Sequence, residues 1–331
     1  IAQDLKSYAK SIYNSEVDVV NQFDDADYNF YANKNGKEPI TYLDRTDWEG
    51  TWPTKTTASP ATNEDLNMSS KYKMEINYSD GDIVEYGVPN FITFDDMINV
   101  PLKGTIQKGK FAGQDGEEIW DDFINQLSLD DLITSIGSSN GLSAIKSIRK
   151  PGTIFSNGYD CILGRNIYGN NNWLVNYTSA SITAGTFDNC LQNQLGDMLG
   201  LDAELSGNDL FIGPNGNINR TPFSGMAAYF TGEDSILAYY TVSNSSQGAK
   251  KHNAVMRIGS CALNNQENGK QRLQTYCNEQ AIREIYLKPF EGAITKGGCM
   301  CVTTSYNRIG ATYTACHQTL INEIFRKEWS F

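Results

Sequence analysis

The fold is decided by the stretch QAIREIYLKPFE, residues 280–291, which lies in a segment, Asn278–Thr295, that we predict to be helical. Apolar runs at Ala254–Leu263 and Cys299–Thr304 come before and after it and are typical of buried strands. The alternation extends to the strands Gly152–Phe155 and Asp209–Ile212 and to the helices Phe187–Leu199, Asp234–Tyr240 and Gln318–Trp329. Such alternation predicts an α/β fold with a parallel sheet covered by helices, either a barrel or a doubly wound sheet.

Residues 1–112 differ from the rest of the chain, because they are polar and irregular. Within them, Lys71–Tyr78 and Ile83–Tyr86 alternate in hydrophobicity and flank the turn sequence SDGD, which predicts a β-hairpin. We therefore predict two parts, a connector arm or small subdomain at 1–112 and an α/β domain at 113–331.

Helical spacing begins soon after that boundary. Ile119, Phe123 and Leu127 recur at the interval expected for one face of a helix. Ser128 precedes Asp131 by three residues, which is typical of a capping box at a helix start. We predict helices on both sides of Ser128.

Charge and composition exclude several classes of partner. The net charge of −12 and the pI near 4.7 argue against nucleic acid or an anionic membrane surface, because both need a positive face. The sequence has no apolar run of about 18 residues that could span a bilayer. Its start, Ile1-Ala2-Gln3-Asp4, does not resemble a signal peptide and lacks an initiator Met. We therefore expect a processed or partial piece of a longer protein.

The motifs that usually bind cofactors or metals are missing from the sequence. Its 7 cysteines are scattered and do not form a disulfide framework. Cys299 and Cys301 are predicted to be buried thiols on a strand rather than the start of a metal site, because only two histidines accompany them. No Walker-type loop or GxGxxG follows a predicted strand. We expect neither a cofactor nor a metal.

Four segments carry a resemblance to a known family. They read GPNGNINRTPF at 213–223, NNQE at 264–267, QAIREIYLKPFE at 280–291, and TSYNRI at 304–309 with KEWSF at 327–331. In order and spacing they resemble the barrel domain of glycoside hydrolase family 3, the family of many β-glucosidases. Segments 20–27 and 40–53 of the arm are similar to the connector of permuted members, in which the barrel comes last.

The resemblance implies a TIM-type (β/α) barrel whose sugar pocket lies at the C-terminal ends of the strands. It also implies retaining hydrolysis by an Asp nucleophile and a separate carboxylic acid/base. In the family that nucleophile follows the EWGF motif, and the sequence ends at Phe331, before it. We therefore expect an incomplete barrel, closed by further chain, by a partner subunit or by the predicted hairpin at Lys71–Tyr86.

The expected sugar pocket departs from the family at several positions. Where the family has a sugar-binding Asp, an Arg, a Lys-His pair and a His, this chain has Asn157, Met226, Gly259-Ser260 and Asn219. A pocket that loses charged hydrogen-bonding groups loses most of its discrimination between sugars. The residues expected to contact sugar are Asn157, Arg220, Tyr306 and Asn307. For Arg220 a structural role in supporting its neighbours is an equal alternative, and for Tyr306 a packing role is slightly favoured over stacking on a sugar.

Other groups are weaker candidates for catalysis. Glu267 belongs to a segment that is usually a structural turn in the family, and Asp160 is a neighbour of Asn157 without a partner carboxylate at recognisable spacing. Lys251-His252 could replace the missing Lys-His pair only through an insertion within a strand. We therefore predict no catalytic residue in this chain.

These features favour a catalytically inactive family 3-like protein. Its expected role is to bind a β-linked glycan or to act as a structural or assembly component, outside the cell or at the cell surface. The alternative is a fragment of an active retaining β-glycosidase that is completed by missing chain.

Overall fold

A computed structural model describes residues 9–29, 87, 90–137, 141–156, 161–165, 171–220 and 224–331, together with Gly36 and Glu38. The predicted hairpin at Lys71–Tyr86 lies outside these residues. Contacts divide the chain into a small unit, Glu75–Phe155, and a large unit, Ile1–Met74 with Ser156–Phe331. The boundary predicted between residues 112 and 113 falls inside the small unit, and the division into an arm and a barrel stays a prediction.

The small unit is built around two helices, α1 (Gly116–Asn125) and α2 (Leu129–Ile136). Asp115 caps α1 by accepting a hydrogen bond from the backbone N–H of Glu117 at 2.9 Å. Ser128 and Asp131 form the predicted capping box at the start of α2. Two 3-10 turns, Asp95–Met97 and Lys146–Ile148, accompany these helices. The buried core of this unit contains the three predicted apolar residues of the first helical stretch, Ile119, Phe123 and Leu127.

The described strands and helices of the large unit alternate along most of its length. Those before residue 250 are β1 (Ala9–Lys10), β2 (Asp18–Val19), β3 (Cys161–Arg165), β4 (Asn171–Asn176), α3 (Ala180–Gly185), α4 (Asn189–Leu205), β5 (Leu210–Ile212), β6 (Asn215–Ile218), β7 (Phe230–Gly232) and α5 (Ser235–Ala249). Those after it are β8 (Val255–Cys261), β9 (Gln274–Thr275), the four helical segments together called α6 (Glu279–Ala281, Ile282–Tyr286, Lys288–Glu291 and Gly292–Lys296), β10 (Cys301–Thr304), β11 (Arg308–Ile309), β12 (Thr312–Tyr313) and α7 (Thr319–Glu328). Three 3-10 turns lie between them, Ala227–Tyr229, Lys270–Arg272 and Thr314–Cys316.

Three of these strands form a parallel sheet in the order β5–β8–β10. Leu210 pairs with Val255, and Cys301 pairs with Arg257. Helix α5 separates β5 from β8 in sequence, and α6 separates β8 from β10. Parallel neighbours require such crossover connections, so the predicted parallel sheet with covering helices is confirmed.

One predicted strand is wrong and one strand pair was not predicted. Gly152–Phe155 forms no strand, because the backbone N–H of Thr153 donates to the carbonyl of Leu142 within a loop, at 2.8 Å. Pro151 directly before it also lacks the N–H that a sheet ladder needs. Strands β3 and β4 pair antiparallel instead.

The side chains of β8 alternate between two environments. Met256 and Ile258 are buried in the main core, together with Phe290 of α6 and Phe211 of β5. Arg257 and Gly259, on the opposite face of the strand, are only half-buried. The core of the large unit therefore lies on the helix-covered face of the sheet, and the inner face is more open.

Helices α4 and α5 approach each other at backbone distance. A Cβ on Gly196 would lie 1.9 Å from the carbonyl oxygen of Ser245, so a larger residue does not fit there. Polar side chains in this contact are paired, because the Asn244 amide donates to Asn189 Oδ1 at 2.8 Å and to Gln192 Oε1 at 2.9 Å. The contact thus depends on a small residue and on a satisfied polar network.

Just before the N-terminal end of β8, His252 lies between two carboxylates. Its Nε2 is 2.7 Å from Asp197 Oδ1, and its Nδ1 is 3.1 Å from Glu204 Oε2. The hydrogen bond to Asp197 is the main cause that raises the pKa of His252. Lys251 and then His252 lower the pKa of Asp197, and His252 lowers the pKa of Glu204. The cluster is therefore stabilised when the ring is protonated and both carboxylates are ionised.

We predict that Gly196→Ala destabilises the protein by about 1–3 kcal/mol, because the added methyl group must displace the backbone of α5. Gly185→Ala is the matched control, since a Cβ at the end of α3 meets nothing within 4 Å. There the free energy of unfolding should stay the same or rise by about 0.5–1 kcal/mol. Urea unfolding measures both variants, and equal effects would contradict the close helix contact.

We predict that stability falls on both sides of a pH window set by His252. Because the folded-state pKa of His252 is raised, its contribution is complete below the unfolded pKa of about 6.5 and is lost as the pH rises through the folded value. The lowered pKa values of Asp197 and Glu204 contribute above about pH 4 and are lost as the pH falls. The urea midpoint should therefore decline above about pH 6.5. His252→Gln should remove that decline, and an unchanged decline in the variant would sink the assignment.

Candidate functional site

Strand β6, which follows β5, and the loops that follow β8 and β10 meet at one edge of the parallel sheet and are bound together there. Asn217 exchanges two hydrogen bonds with the backbone of Asn264, donating to its carbonyl at 3.1 Å and accepting from its N–H at 3.0 Å. Ser305 joins the third loop, because its N–H donates to Cys261 at 2.7 Å and its hydroxyl to the carbonyl of Ala262 at 2.8 Å. In a (β/α) barrel this edge is the one that carries functional sites.

Asn307 is part of that framework. Its side chain is fully buried, and its amide donates to the carbonyl of Ala262 at 3.1 Å and to Thr275 Oγ1 at 3.2 Å. In this structure it braces the loop after β10 against the loop after β8. Its predicted contact with sugar stays a prediction.

Tyr306, one residue earlier, has the opposite environment. Its side chain is 59% exposed, and the ammonium of Lys270 lies 4.7 Å from the centre of its ring. Lys270 also pairs with Glu267, with Nζ 2.6 Å from Oε2. Asn264 donates to the other carboxylate oxygen of Glu267 at 3.4 Å. The edge therefore presents an aromatic ring with a cation over one face and a carboxylate that is already paired.

Arg220 lies two residues after the end of β6 and contacts helix α6. Its guanidinium carbon is 5.8 Å from the centre of the Tyr286 ring. Burial raises the pKa of Tyr286 to about 12, and the charge of Arg220 acts in the opposite direction. Of the two interpretations of Arg220, the packing contact is the one present in this structure. Asn157, the fourth expected sugar-binding residue, lies outside the described residues.

The positions that depart from the family carry no charge. A Cβ on Gly259 would lie 3.1 Å from that of Thr303, so even a small side chain would be a tight fit at this position. The N–H of Ser260 donates to Asn215 Oδ1 at 2.8 Å. Asn219 donates weakly to the carbonyl of Ala227 at 3.4 Å. None of these residues can form the charged hydrogen bonds to sugar hydroxyls that the resembled pocket would have.

Two charged residues at this edge were not singled out from the sequence. Arg257 interrupts the apolar run Ala254–Leu263. A charged residue inside a predicted buried strand could have marked it as a candidate site residue. Lys270 follows Glu267 by three residues in a turn, which is the spacing of a local ion pair. Lys251-His252 does not reach the site, since His252 precedes the first residue of β8, Val255, whereas the site follows its last, Cys261.

Burial raises the pKa of the three buried thiols, so these are not activated. Cys261, Cys277 and Cys299 are buried, and burial raises the pKa of Cys277 to about 12 and that of Cys299 to about 11. The prediction of a buried thiol is confirmed for Cys299, whereas Cys301 is half-buried. Among the described residues, no three His, Cys, Asp or Glu side chains come together as metal ligands. None of the described helices is both long and apolar enough to cross a membrane.

No protein-family model matches the chain. Beta-glucosidase BoGH3A of Bacteroides ovatus is 30% identical to it over 155 residues, which is 47% of this chain and 21% of that protein. A putative beta-glucosidase of Schizosaccharomyces pombe is 26% identical over 213 residues, which is 64% of this chain and 26% of that protein. The matched region thus spans a small part of each relative's length.

Solved structures show the same fold. Beta-glucosidase 3B of Thermotoga neapolitana in complex with glycerol matches 65% of this chain and 32% of its own, with a TM-score of 0.59 and 23% identity. The family 3 beta-glucosidase of Bifidobacterium adolescentis matches 62% of this chain and 30% of its own, with a TM-score of 0.58 and 22% identity. The chain therefore contains a glycoside hydrolase family 3-like domain, and the α/β barrel class is confirmed. Its sheets are open in the part that the structure describes.

We predict that Asn307→Ala lowers the free energy of unfolding by about 1–3 kcal/mol, because the buried carbonyl of Ala262 keeps only Ser305 as a donor and the hydroxyl of Thr275 loses the amide that donates to it. Tyr306→Ala should change it by less than about 0.5 kcal/mol, since that ring is largely exposed. Urea unfolding of the two neighbouring variants makes the comparison. A neutral Asn307→Ala would remove the framework role argued for this residue.

Proposed function

We propose that this chain binds a β-linked glycan at the edge formed by the ends of β5, β8 and β10, and that it does not hydrolyse the glycan. The β-glucosidase names of its relatives are the ground for expecting a β-linked sugar. The observation that carries the proposal is Tyr306, an aromatic ring 59% exposed at that edge. Such a ring offers a sugar an apolar face, and its hydroxyl offers a polar contact.

The state of Glu267 supports the absence of hydrolysis. A retaining glycosidase needs two carboxyl groups about 5–5.5 Å apart, one of them as acid/base. Glu267 follows β8, but its two oxygens are engaged by Lys270 at 2.6 Å and by Asn264 at 3.4 Å. A carboxylate held in this way stabilises the turn through its contacts with Lys270 and Asn264.

The uncharged pocket positions support weak binding. Met226, Gly259 and Ser260 stand where the resembled family has charged groups, and one buried charged contact is typically worth about 2–5 kcal/mol. Without several such contacts, we expect a dissociation constant on the order of 1 mM, which corresponds to about −4 kcal/mol.

The openness of the sheet supports a further partner. The inner-face residues Arg257, Cys301 and Thr303 are half-buried, and β10 is an outer strand of the described three-stranded sheet. The other outer strand, β5, accepts one further backbone hydrogen bond, from the N–H of Ser156 to the carbonyl of Leu210 at 2.8 Å. Bare strand edges and open sheet faces are normally covered in parallel sheets. We propose that further chain or a protein subunit completes the barrel, in an extracellular or cell-surface setting where polymeric glycans are met.

Glycan binding is tested by titrating the chain with β-linked glucose disaccharides in a calorimeter. Tyr306→Ala should weaken binding about fivefold or more, because a ring contact is worth about 0.5–1.5 kcal/mol beyond its buried area. Tyr306→Phe should retain most of the affinity, since the ring remains.

Tyr240→Ala is the matched control for that experiment. Tyr240 lies on α5, is 39% exposed, and has the ammonium of Lys296 4.2 Å from its ring centre, so it repeats the ring–ammonium contact away from the edge. Its loss should not change binding. Equal weakening by both alanine variants would refute the site. Hydrolysis of aryl β-glucosides that Glu267→Gln abolishes would instead favour the active β-glycosidase alternative.

A further inference from the structure

A small pocket opens on the inner face of the sheet, at the C-terminal ends of β5 and β8. Its polar lining consists of Asn215, Arg257, Ser260 and Thr303, and the remaining walls are Ile212 and two glycines, 213 and 259. No carboxylate and no second cation is among these lining residues. Among the described residues, the pocket therefore has a positive charge and no opposite charge in its lining.

Arg257 is the source of that character. It lies in the central strand, paired with Ile212 on one side and Cys301 on the other. Within the part of the chain that the structure describes, its guanidinium makes no hydrogen bond or ion pair. A guanidinium stays charged at all physiological pH values, and a partly buried charge without a partner is unfavourable.

Asn215 adds a directed donor to the same pocket. It is 2% exposed, and its Oδ1 accepts hydrogen bonds from the N–H groups of Asn217 at 2.9 Å and of Ser260 at 2.8 Å. Because two N–H groups donate to Oδ1, the orientation of the side-chain amide is determined. Its Nδ2 is therefore the group that can donate to a ligand. That Nδ2 is buried without a partner, as is the hydroxyl oxygen of Thr303.

We propose that this pocket binds a carboxylate group, carried either by a small organic acid or by a uronic acid unit of a glycan. The planar guanidinium of Arg257 matches the two oxygens of a carboxylate, while the amide of Asn215 and the hydroxyl of Thr303 supply further donors. One cation balances a charge of −1, and because the whole chain carries a net charge of −12, a dianion such as phosphate is disfavoured. The proposal does not depend on binding of neutral glycans, because acetate alone tests it.

The experiment titrates the chain with acetate, D-glucuronate, D-glucose and phosphate in chloride buffer of constant ionic strength, with NMR or calorimetric detection. Binding of acetate and glucuronate, with glucose and phosphate bound at least about tenfold more weakly, is the expected result. Binding of glucuronate but not acetate would assign the pocket to acidic sugars. Absence of binding by both carboxylates, or equal binding of glucose or phosphate, would overturn the proposal.

Variants separate a binding role of Arg257 from a structural one. Arg257→Gln should weaken carboxylate binding at least about tenfold, and Thr303→Val should weaken it by a smaller factor. Arg326→Gln, at an exposed position of α7, is the matched control and should leave binding unchanged. The thermal midpoint of ligand-free Arg257→Gln should stay the same or rise, because an unpaired charge is removed. If Arg257→Gln lowers the thermal midpoint but binds carboxylates as tightly as the unsubstituted protein, Arg257 stabilises the fold and does not bind the ligand. That result would refute the proposal.

Discussion

The buried ion cluster around Arg283 holds together the elements on which the large unit depends. Its Nε donates to Glu279 at 2.6 Å, and its two terminal nitrogens donate to the two carboxylate oxygens of Glu328 at 2.7 and 3.1 Å. Glu279 in turn accepts the backbone N–H groups of Gln22 at 3.1 Å and Phe23 at 2.8 Å. Since Glu279 and Glu328 are 6% and 3% exposed, neither charge could remain buried without these partners. Helices α6 and α7 and the N-terminal segment around Phe23 are therefore fixed to one another.

Many of the residues that carry the family resemblance belong to this framework. Arg283 lies in the stretch 280–291 and Glu328 in 327–331, and Asn215 and Asn217 of the 213–223 loop bind the backbones of the neighbouring loops. The departures from the family concentrate instead at positions facing the expected pocket. A resemblance carried by framework residues establishes the fold and leaves the chemistry to be argued from the pocket itself.

Apolar periodicity predicted the sheet, its covering helices and the core, and it failed where polar residues are buried. Helix α5 was predicted to end at Tyr240 but continues to Ala249, through Thr, Ser and Asn residues that are poor helix formers alone. Their contact with α4 at Gly196 is a tertiary effect that no local pattern contains. At the site, Tyr306 and Asn307 read alike as candidates in sequence. Only the meeting of the loops after β8 and β10 makes one exposed and the other fully buried.

The open inner face of β8 carries both the positions where the resembled family has Lys-His and the one arginine of this strand, Arg257. Residues two apart in a strand share a face, so Arg257 and Gly259 both belong to the inner side. Where the resembled family has Lys-His, Gly259 and Ser260 supply no cation, and both line the same small pocket as Arg257. The positive charge of this face therefore lies two residues earlier in β8, on Arg257. Its planar guanidinium suits an anion better than sugar hydroxyls. The weak binding of neutral sugar and the binding of a carboxylate that we propose would thus both follow from the residues that β8 places on this face.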